Sequence, residues 1–313
     1  MFVKANRMKT KFKFYTLDVF TDQIFGGNPL AVFTEAHKIK SSNLQKIAAE
    51  INYSETAFIF PPENPDNAAK VRIFTPQNEL PFAGHPNVGA GYLLASQPDL
   101  IPGQANCDLL IFEERAGLVN IRPNRNGDGI IETISITAPQ QITKGRTLPP
   151  DLIAAAVNLE PSKIEIGRTE PIIAGTGVLF AIAEVKSRDA LAACIVNNGL
   201  FDKLDSNYGY GEDFFSLLVF FEADDGILHA RMFAPLGGIP EDPATGSAAT
   251  ALGALLAELN SASEGQYYFS VHQGDYMGRP SRLHVTVRKS AGKTECPILT
   301  GSCVSVINGD FSI

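Results

Sequence analysis

The side chains best suited to chemistry fall in three short stretches. "NYSETAF" (52–58) sets a lone carboxylate, Glu55, between a helix-like segment and an apolar strand. "FAGHPNV" (82–88) carries His85 behind Gly84, and "EDPATGSAA" (241–249) carries Asp242, Gly246 and Ser247. Carboxyl and imidazole groups exchange protons efficiently when burial brings their pKa near the working pH. Each also has a plainer reading. Glu55 could be a partly solvated element end, His85 a satisfied structural histidine, Asp242 a helix-start carboxylate held by the dipole, and Ser247 a cap residue. Asn28 in "FGGNP" reads as a turn former that could also line a cleft.

The elements that must position these residues show an internal repeat. "VRIFTPQNELPFAGHPNVGAGYLLAS" (71–96) and "ARMFAPLGGIPEDPATGSAATALGALLAEL" (230–259) share one plan: an R-x-F-x-P strand, a Leu-Pro or Ile-Pro turn, a Gly/Pro/Ala loop and an apolar helix. An interval of about 160 residues is too long for a solenoid and fits a duplicated half-molecule. Neither Pro86–Ser96 nor Pro243–Ala257 contains a charged residue. A helix that is apolar all round is a buried one. Each helix start leaves N–H groups unpaired and carries partial positive charge. Two such starts meeting at a cleft would make an anion receptor suited to a small carboxylate, with Gly84 and Gly246 allowing close approach.

Many short strand-like runs surround these helices, which predicts an α+β protein of two pseudo-symmetric domains, each a curled β-sheet or barrel around a central buried helix. The first domain is expected over 8–137 with Glu55 and the GHP loop, and the second over 138–299 with the EDPATGS loop. Residues 300–313 are expected to pack back on the first. The polar stretch Ala138–Pro149 marks the boundary. Outer helices are expected over 42–51, opened by a Ser42/Gln45 capping box, and over 150–157. His85 is expected to flank a helix mouth, with Pro86 at the first helical position.

Composition narrows the function classes. At 313 residues, with 44% apolar and 19% charged side chains, the chain reads as an ordinary globular protein of two domains. A formal charge of −8 disfavours a nucleic-acid surface. No apolar run reaches membrane-spanning length, and the basic start has no signal-peptide core. Met8 could be an alternative start with residues 1–7 a frayed extension. Four cysteines without C-x-x-C spacing read as free thiols in the cytoplasm, and the five histidines form no metal pattern. "GTG" (175–177) lacks the rest of a dinucleotide fingerprint, and "RNGDG" (125–129) signals a hairpin turn.

"FGGNPLAVF", "YSETAF", "RIFTPQNELPFAGHP", "RMFAPLGGIPEDPATGSAA" and "HQGDYMGRPSRL", in that order from about Phe14 onward, together resemble the PhzF family of phenazine-biosynthesis isomerase-like proteins. The resemblance implies a diaminopimelate epimerase-like fold with the site between the halves. It implies Glu55 as the catalytic acid/base and His85, Asp242 and Ser247 as polar site residues. It also implies Gly84 and Gly246 as backbone contacts to substrate. Epimerases of this fold use a cysteine from each loop; here those positions read Ala83 and Asp242, which disfavours a two-thiol racemase. The resulting expectation is a cofactor-independent isomerase in which Glu55 moves a proton on a small carboxylate-bearing substrate while His85 and Asp242 position groups or relay a proton. By family analogy the protein would be a homodimer. Competing readings are a racemase using Glu55 with Asp242, a non-catalytic small-molecule binder, and a His85/Asp242/Ser247 hydrolase. The last is disfavoured because Ser247 lies outside a G-x-S-x-G elbow. Gln273 and Arg279 fall in the last motif with either a structural or a substrate-contact role.

Overall fold

A computed structural model describes residues 10–101, 104, 107–209 and 214–313, so the expectations for Met8 and residues 1–7 lie outside the described residues. The N-terminal half supplies β1 (Lys11–Val19), β2 (Asn28–Phe33), α1 (Ser41–Ile51), β3 (Glu55–Phe60), β4 (Ala69–Phe74), β5 (Glu79–Leu80), α2 (Gly84–Ser96), β6 (Leu110–Glu114), β7 (Gly117–Arg125) and β8 (Ile131–Thr137). The C-terminal half begins with β9 (Thr143–Thr147), α3 (Pro150–Ala156), β10 (Ile164–Glu165), β11 (Ile172–Gly175), β12 (Leu179–Val185), α4 (Arg188–Ala192) and α5 (Asn198–Tyr208). It continues through β13 (Leu217–Glu222), β14 (Leu228–Ala234), β15 (Ile239–Asp242), α6 (Gly246–Leu259), β16 (Gly265–Gln273), β17 (Ser281–Ser290), β18 (Lys293–Thr294), β19 (Ile298–Gly301) and β20 (Cys303–Ser312).

Pairing gives one continuous order, β20-β1-β2-β3-β4-β6-β7-β8-β19-β17-β16-β14-β13-β12-β11-β9. It reads the same from both ends. The β2–β3 and β4–β6 pairs are parallel in the first half, as are β12–β13 and β14–β16 in the second. The two sheets join edge to edge where β8 pairs β19. At the far ends β20 returns to β1, and β9, inside the expected polar boundary stretch, pairs β11.

The sheet curls because it must cover helices with no polar face. α2 touches β1 and β2 on one side and β7 and β8 on the other; α6 lies similarly against β11, β12, β16 and β17. Val88, Ala90, Leu93 and Leu94 of α2, and Ala248, Ala251, Leu252 and Leu255 of α6, are fully or almost fully buried in one shared core. Each buried leucine contributes about 1.5–3 kcal/mol of transfer free energy. Two outer layers flank this centre. α1 covers the Phe33, Phe58 and Phe74 rings, and α3, α4 and α5 cover Phe215 and Phe233, with the Phe201 ring of α5 packed edge-on against Phe215. Among the described residues no helix is long and apolar enough to cross a membrane. The Arg125–Ile131 connection is the expected hairpin turn, closed by Asn126 N–H to Ile130 O.

Two local expectations need correction. α1 starts at Ser41 with Lys40 at its N-cap and no side-chain cap, so Ser42 lies inside the helix and forms no capping box. Gln45 instead donates Nε2 to Thr75 O at 2.9 Å, because that loop sits over the helix. Pro86 is the third residue of α2: the extended residue at its start is Ala83, and Gly84 opens the helix.

Candidate active site

The repeated strands carry the repeated loops. In the first half, Arg72 on β4 is held by Glu79 through both carboxylate oxygens (2.7 and 2.8 Å). In the second, Arg231 on β14 is held likewise by Glu241 (2.8 Å at both) and donates to the carbonyls of Leu191, Ala192 and Cys194. Each clamp anchors the chain just ahead of a buried helix. The two helix starts then meet. A Cβ built on Gly84 would lie 3.6 Å from both Gly246 Cα and Ser247 N, and one on Gly246 would lie 3.7 Å from Gly84 Cα. Neither helix has a side-chain cap of its own.

Beside this contact lies a buried polar cluster. Glu55 opens β3 opposite Leu30 of β2, and its Oε2 lies 3.2 Å from His85 Nδ1. The contact is not an aligned hydrogen bond, so Glu55 Oε2 is buried without a partner, as is His85 Nε2. Asp242, from β15, accepts from Asn28 Nδ2 on Oδ1 (2.9 Å) and from Thr245 Oγ1 on Oδ2. Asn28 Nδ2 also donates to Ala244 O (2.9 Å), and Ser54 Oγ donates to Asn28 Oδ1 (2.9 Å). Unpartnered buried polar atoms are costly and mark positions where a ligand or water completes the bonding.

Burial sets the protonation states. It pushes the Glu55 carboxyl up to about 7, against the opposing pull of the adjacent Ser54 hydroxyl. It likewise pushes Asp242 up to about 7, with the Glu55 charge adding to the rise and Thr245, His85 and Asn28 opposing it. Since each carboxyl disfavours the other's charge, the two titrate as a pair. His85 is lowered to about 4, chiefly by burial, so its imidazole is neutral near pH 7. The Glu55–His85 contact is therefore not an ion pair at that pH.

Two cavities flank the cluster. One, of about 320 Å³, contains Gly84, Gly246 and Ser247 in its wall with Phe82, Val178 and Leu299. The other, of about 370 Å³, is lined by Asn28, Ser54, Asp242 and Arg279. Of the residues singled out in the sequence, the structure gathers Glu55, His85, Asp242 and Asn28 into one cluster. It places Gly84, Gly246 and Ser247 at the helix contact. Ser247 is the second residue of α6 and caps nothing; Thr245 holds the cap position.

Four residues in or beside this network escaped sequence reasoning or were left without a role. Gln273 donates Nε2 to Asp242 O (2.7 Å) and accepts from Thr245 N–H (3.2 Å), taking the place of a cap. Ser54 and Thr245 lie within the quoted motifs but are short polar side chains whose partners are distant in sequence. Arg279 reaches into the other half, to Asp18 Oδ1 (2.6 Å) and the carbonyls of Gly26 (2.6 Å) and Gly27 (2.8 Å). Among the described residues no group of three His, Cys, Asp or Glu side chains is placed to hold a metal.

The fold defines the class: an α+β protein of the diaminopimelate epimerase-like type, with two pseudo-symmetric halves each wrapped around a buried helix. A phenazine-biosynthesis protein of the PhzF family from Bacillus anthracis superposes with a TM-score of 0.83 at 24% identity, covering 97% of this chain and 100% of that one. The chain matches the PhzC-PhzF family, described as phenazine biosynthesis-like protein, over residues 17–309, and it belongs to that family. It is 31% identical to an uncharacterized isomerase of Mesorhizobium japonicum, over 95% of this chain and 97% of the relative. It is also 31% identical to the trans-2,3-dihydro-3-hydroxyanthranilate isomerase of Pseudomonas aeruginosa, over 95% of this chain and 98% of the relative. By this relationship it is an enzyme of the isomerase class.

Proposed function

We propose that this protein is a cofactor-independent isomerase that moves a proton between two carbons of a small carboxylate-bearing substrate, with Glu55 as the acid/base. The supporting observation is the buried Glu55–His85–Asp242 cluster beside the meeting helix starts, where Glu55 Oε2 and His85 Nε2 have no protein partner. A carboxyl with a pKa of about 7 is matched to exchanging protons near neutral pH. Neutral His85 and Asp242 orient polar substituents, and the first amides of α2 and α6 receive the substrate carboxylate. The Pseudomonas relative is named for a hydroxyanthranilate, itself a carboxylate, which accords with this reading. The proposed limits of the halves are 8–137 and 138–299, with 300–313 returning to the first.

The test uses trans-2,3-dihydro-3-hydroxyanthranilate and related small cyclic carboxylates as probes in deuterated water. Glu55→Gln is expected to lower turnover by about 10²–10⁴-fold while leaving the fold intact. Undiminished turnover in this variant would remove Glu55 from the mechanism. A second reading, a racemase that pairs Glu55 with Asp242, draws on Asp242 also being raised to about 7. It requires deuterium to enter at an α-carbon with inversion, whereas the isomerase relocates a double bond.

A further inference from the structure

Asn28 and Asp242 come from opposite halves, and neither position is set by its own strand alone. Asn28 Nδ2 donates to Asp242 Oδ1 and to Ala244 O, both at 2.9 Å. The backbone on each side of that bond is held by one segment, the turn Gly274–Pro280 between β16 and β17. Just ahead of the turn, Gln273 donates Nε2 to Asp242 O (2.7 Å) and Thr245 Oγ1 (3.1 Å), and accepts from Thr245 N–H (3.2 Å). Gly274 packs so closely on this loop that a Cβ there would lie 2.7 Å from Pro243 O. At the far end, Arg279 donates Nε to Gly27 O (2.8 Å) and Nη2 to Gly26 O and Asp18 Oδ1 (2.6 Å each). Gly27 N–H returns a bond to Pro280 O at 3.0 Å. One end of the turn therefore grips the chain around Asp242, and the other grips the chain just before Asn28.

The loop that Arg279 grips would not keep its shape unaided. Phe20 and Phe25 have φ of 68° and 70°, in the left-handed region that is strained for a bulky side chain. Gly27 has φ 61°, and a Cβ on it would lie 2.3 Å from Val19 O. Such backbone persists only where surrounding bonds over-determine it. Besides the two glycine carbonyls, Arg279 holds Asp18, whose second oxygen accepts from Phe25 N–H at 2.7 Å. A guanidinium offers its donors in a fixed planar fork, whereas an ammonium is a point charge. In the first half the matching turn, between β6 and β7, consists of Arg115 and Ala116, both exposed. The longer turn lies on the side where the polar cluster gathers.

We propose that the β16–β17 turn is a brace that sets the Asn28–Asp242 contact across the two halves, with Arg279 as its positioning residue. Arg279 lines the same cavity as Asn28 and Asp242, and it acts on the reaction through them. Releasing Arg279 frees the strained loop before Asn28 while Gln273 still holds Asp242. One side of the hydrogen bond then moves relative to the other. The consequence for turnover rests on the isomerase reading above, in which Asp242 orients polar substituents while Glu55 moves the proton. A misplacement of about 1 Å at such a site can lower turnover by about 10²-fold.

The brace is testable in the ligand-free protein. Both Nδ2 hydrogens of Asn28 are bonded, so they should exchange slowly with deuterated water. Their NMR signals are assigned by their absence in Asn28→Ala. In Arg279→Gln that exchange should accelerate by about tenfold, while backbone amides of β14 and β17 keep their protection. Guanidinium ion added at millimolar concentration to Arg279→Ala should slow it again by refilling the same acceptors. A merely structural arginine would lower the melting temperature and leave Asn28 exchange unchanged, which overturns the proposal. Should neither Arg279 variant fold, Asp18→Asn removes only the charge facing Arg279; a smaller acceleration is expected, and none overturns the brace. With trans-2,3-dihydro-3-hydroxyanthranilate as probe, Arg279→Gln should lower kcat by about 10–10²-fold with a smaller change in KM. An unchanged kcat beside faster exchange would remove Arg279 from the positioning of the site. Undiminished turnover in Glu55→Gln would instead refute the isomerase mechanism and leave the exchange result standing.

Discussion

The two halves share one backbone plan and differ in the side chains placed on it. Thr56 faces Phe74 in the first half, and Leu217 faces Phe233 in the second, so the counterpart of Glu55 is Ser216. Ile73 faces Leu80 where Met232 faces Asp242, which makes Leu80 the counterpart of Asp242. His85 and Ser247 are each the second residue of their helix. The parallel registers of β4–β6 and β14–β16 match Glu114 with Gln273. Even the two cavities correspond. One has Asn28, Asp242 and the β16–β17 turn in its wall, and the other has Val178, Pro81, Phe82 and the β6–β7 turn. The repeated plan thus provides two helix starts in one register. Polarity is concentrated on one side, with an acid from each half converging where the other side has Leu80, Ser216 and Val178.

The Arg clamps offer the largest test of this comparison. The Arg231 side chain is 10% exposed and bonds three carbonyls besides Glu241, while Arg72 is 27% exposed and relies mainly on Glu79. Arg231→Ala should cost about 3–5 kcal/mol, the range for removing one partner of a buried pair. Arg72→Ala should cost about 1 kcal/mol or less. Denaturant titration measures both, and equal losses would show that the clamps are energetically equivalent despite their different burial.

The helix starts should respond unequally too. A methyl at Gly246 would come 2.5 Å from Leu299 Cδ2 and 3.4 Å from Phe20 Cζ, whereas at Gly84 the nearest atom is 3.5 Å away. Gly246→Ala is expected to destabilise by about 1–3 kcal/mol through overpacking. Gly84→Ala should stay within about 0.5 kcal/mol. Matching melting temperatures would break the asymmetry.

The smallest effect concerns Glu114 and its counterpart Gln273. Both Glu114 oxygens are buried, and burial pushes its carboxyl from the ordinary 4.5 up to about 8 against the opposing pull of Asn87. The unfolded chain releases this proton near 4.5, while the folded protein holds it to about 8. Stability is therefore lost as pH rises between those values. Glu114→Gln, which makes the two halves alike at this position, should remove that part of the slope and raise the melting temperature at the upper end. Glu55, Asp242 and Glu184, also raised, keep a slope of the same sign, while the lowered His85 and His272 oppose it at the acid end. Melting curves recorded across this pH range would show an unchanged slope if Glu114 is not the group responsible.

Much of the fold was legible because its signals are local. The R-x-F-x-P repeat and the charge-free runs after Pro86 and Pro243 identify two buried helices, since a helix without a polar stripe has no face to give to water. The same stretches carry Glu55, His85, Asp242 and the two glycines. The capping box and the first residue of α2 were misjudged because cap choice depends on how the preceding chain enters the helix, as at Lys40 and Ala83.

Only the tertiary structure decided which polar groups meet. Asn28 and Asp242 are 214 residues apart, and Arg279 finds Asp18 across 261. Ser54, Thr245 and Gln273 enter the network through contacts that no spacing encodes. Sequence determines where a helix is dry and where an acid lies along the chain. Which donor faces that acid, and how far burial shifts its proton affinity, follows from the packing of one half on the other.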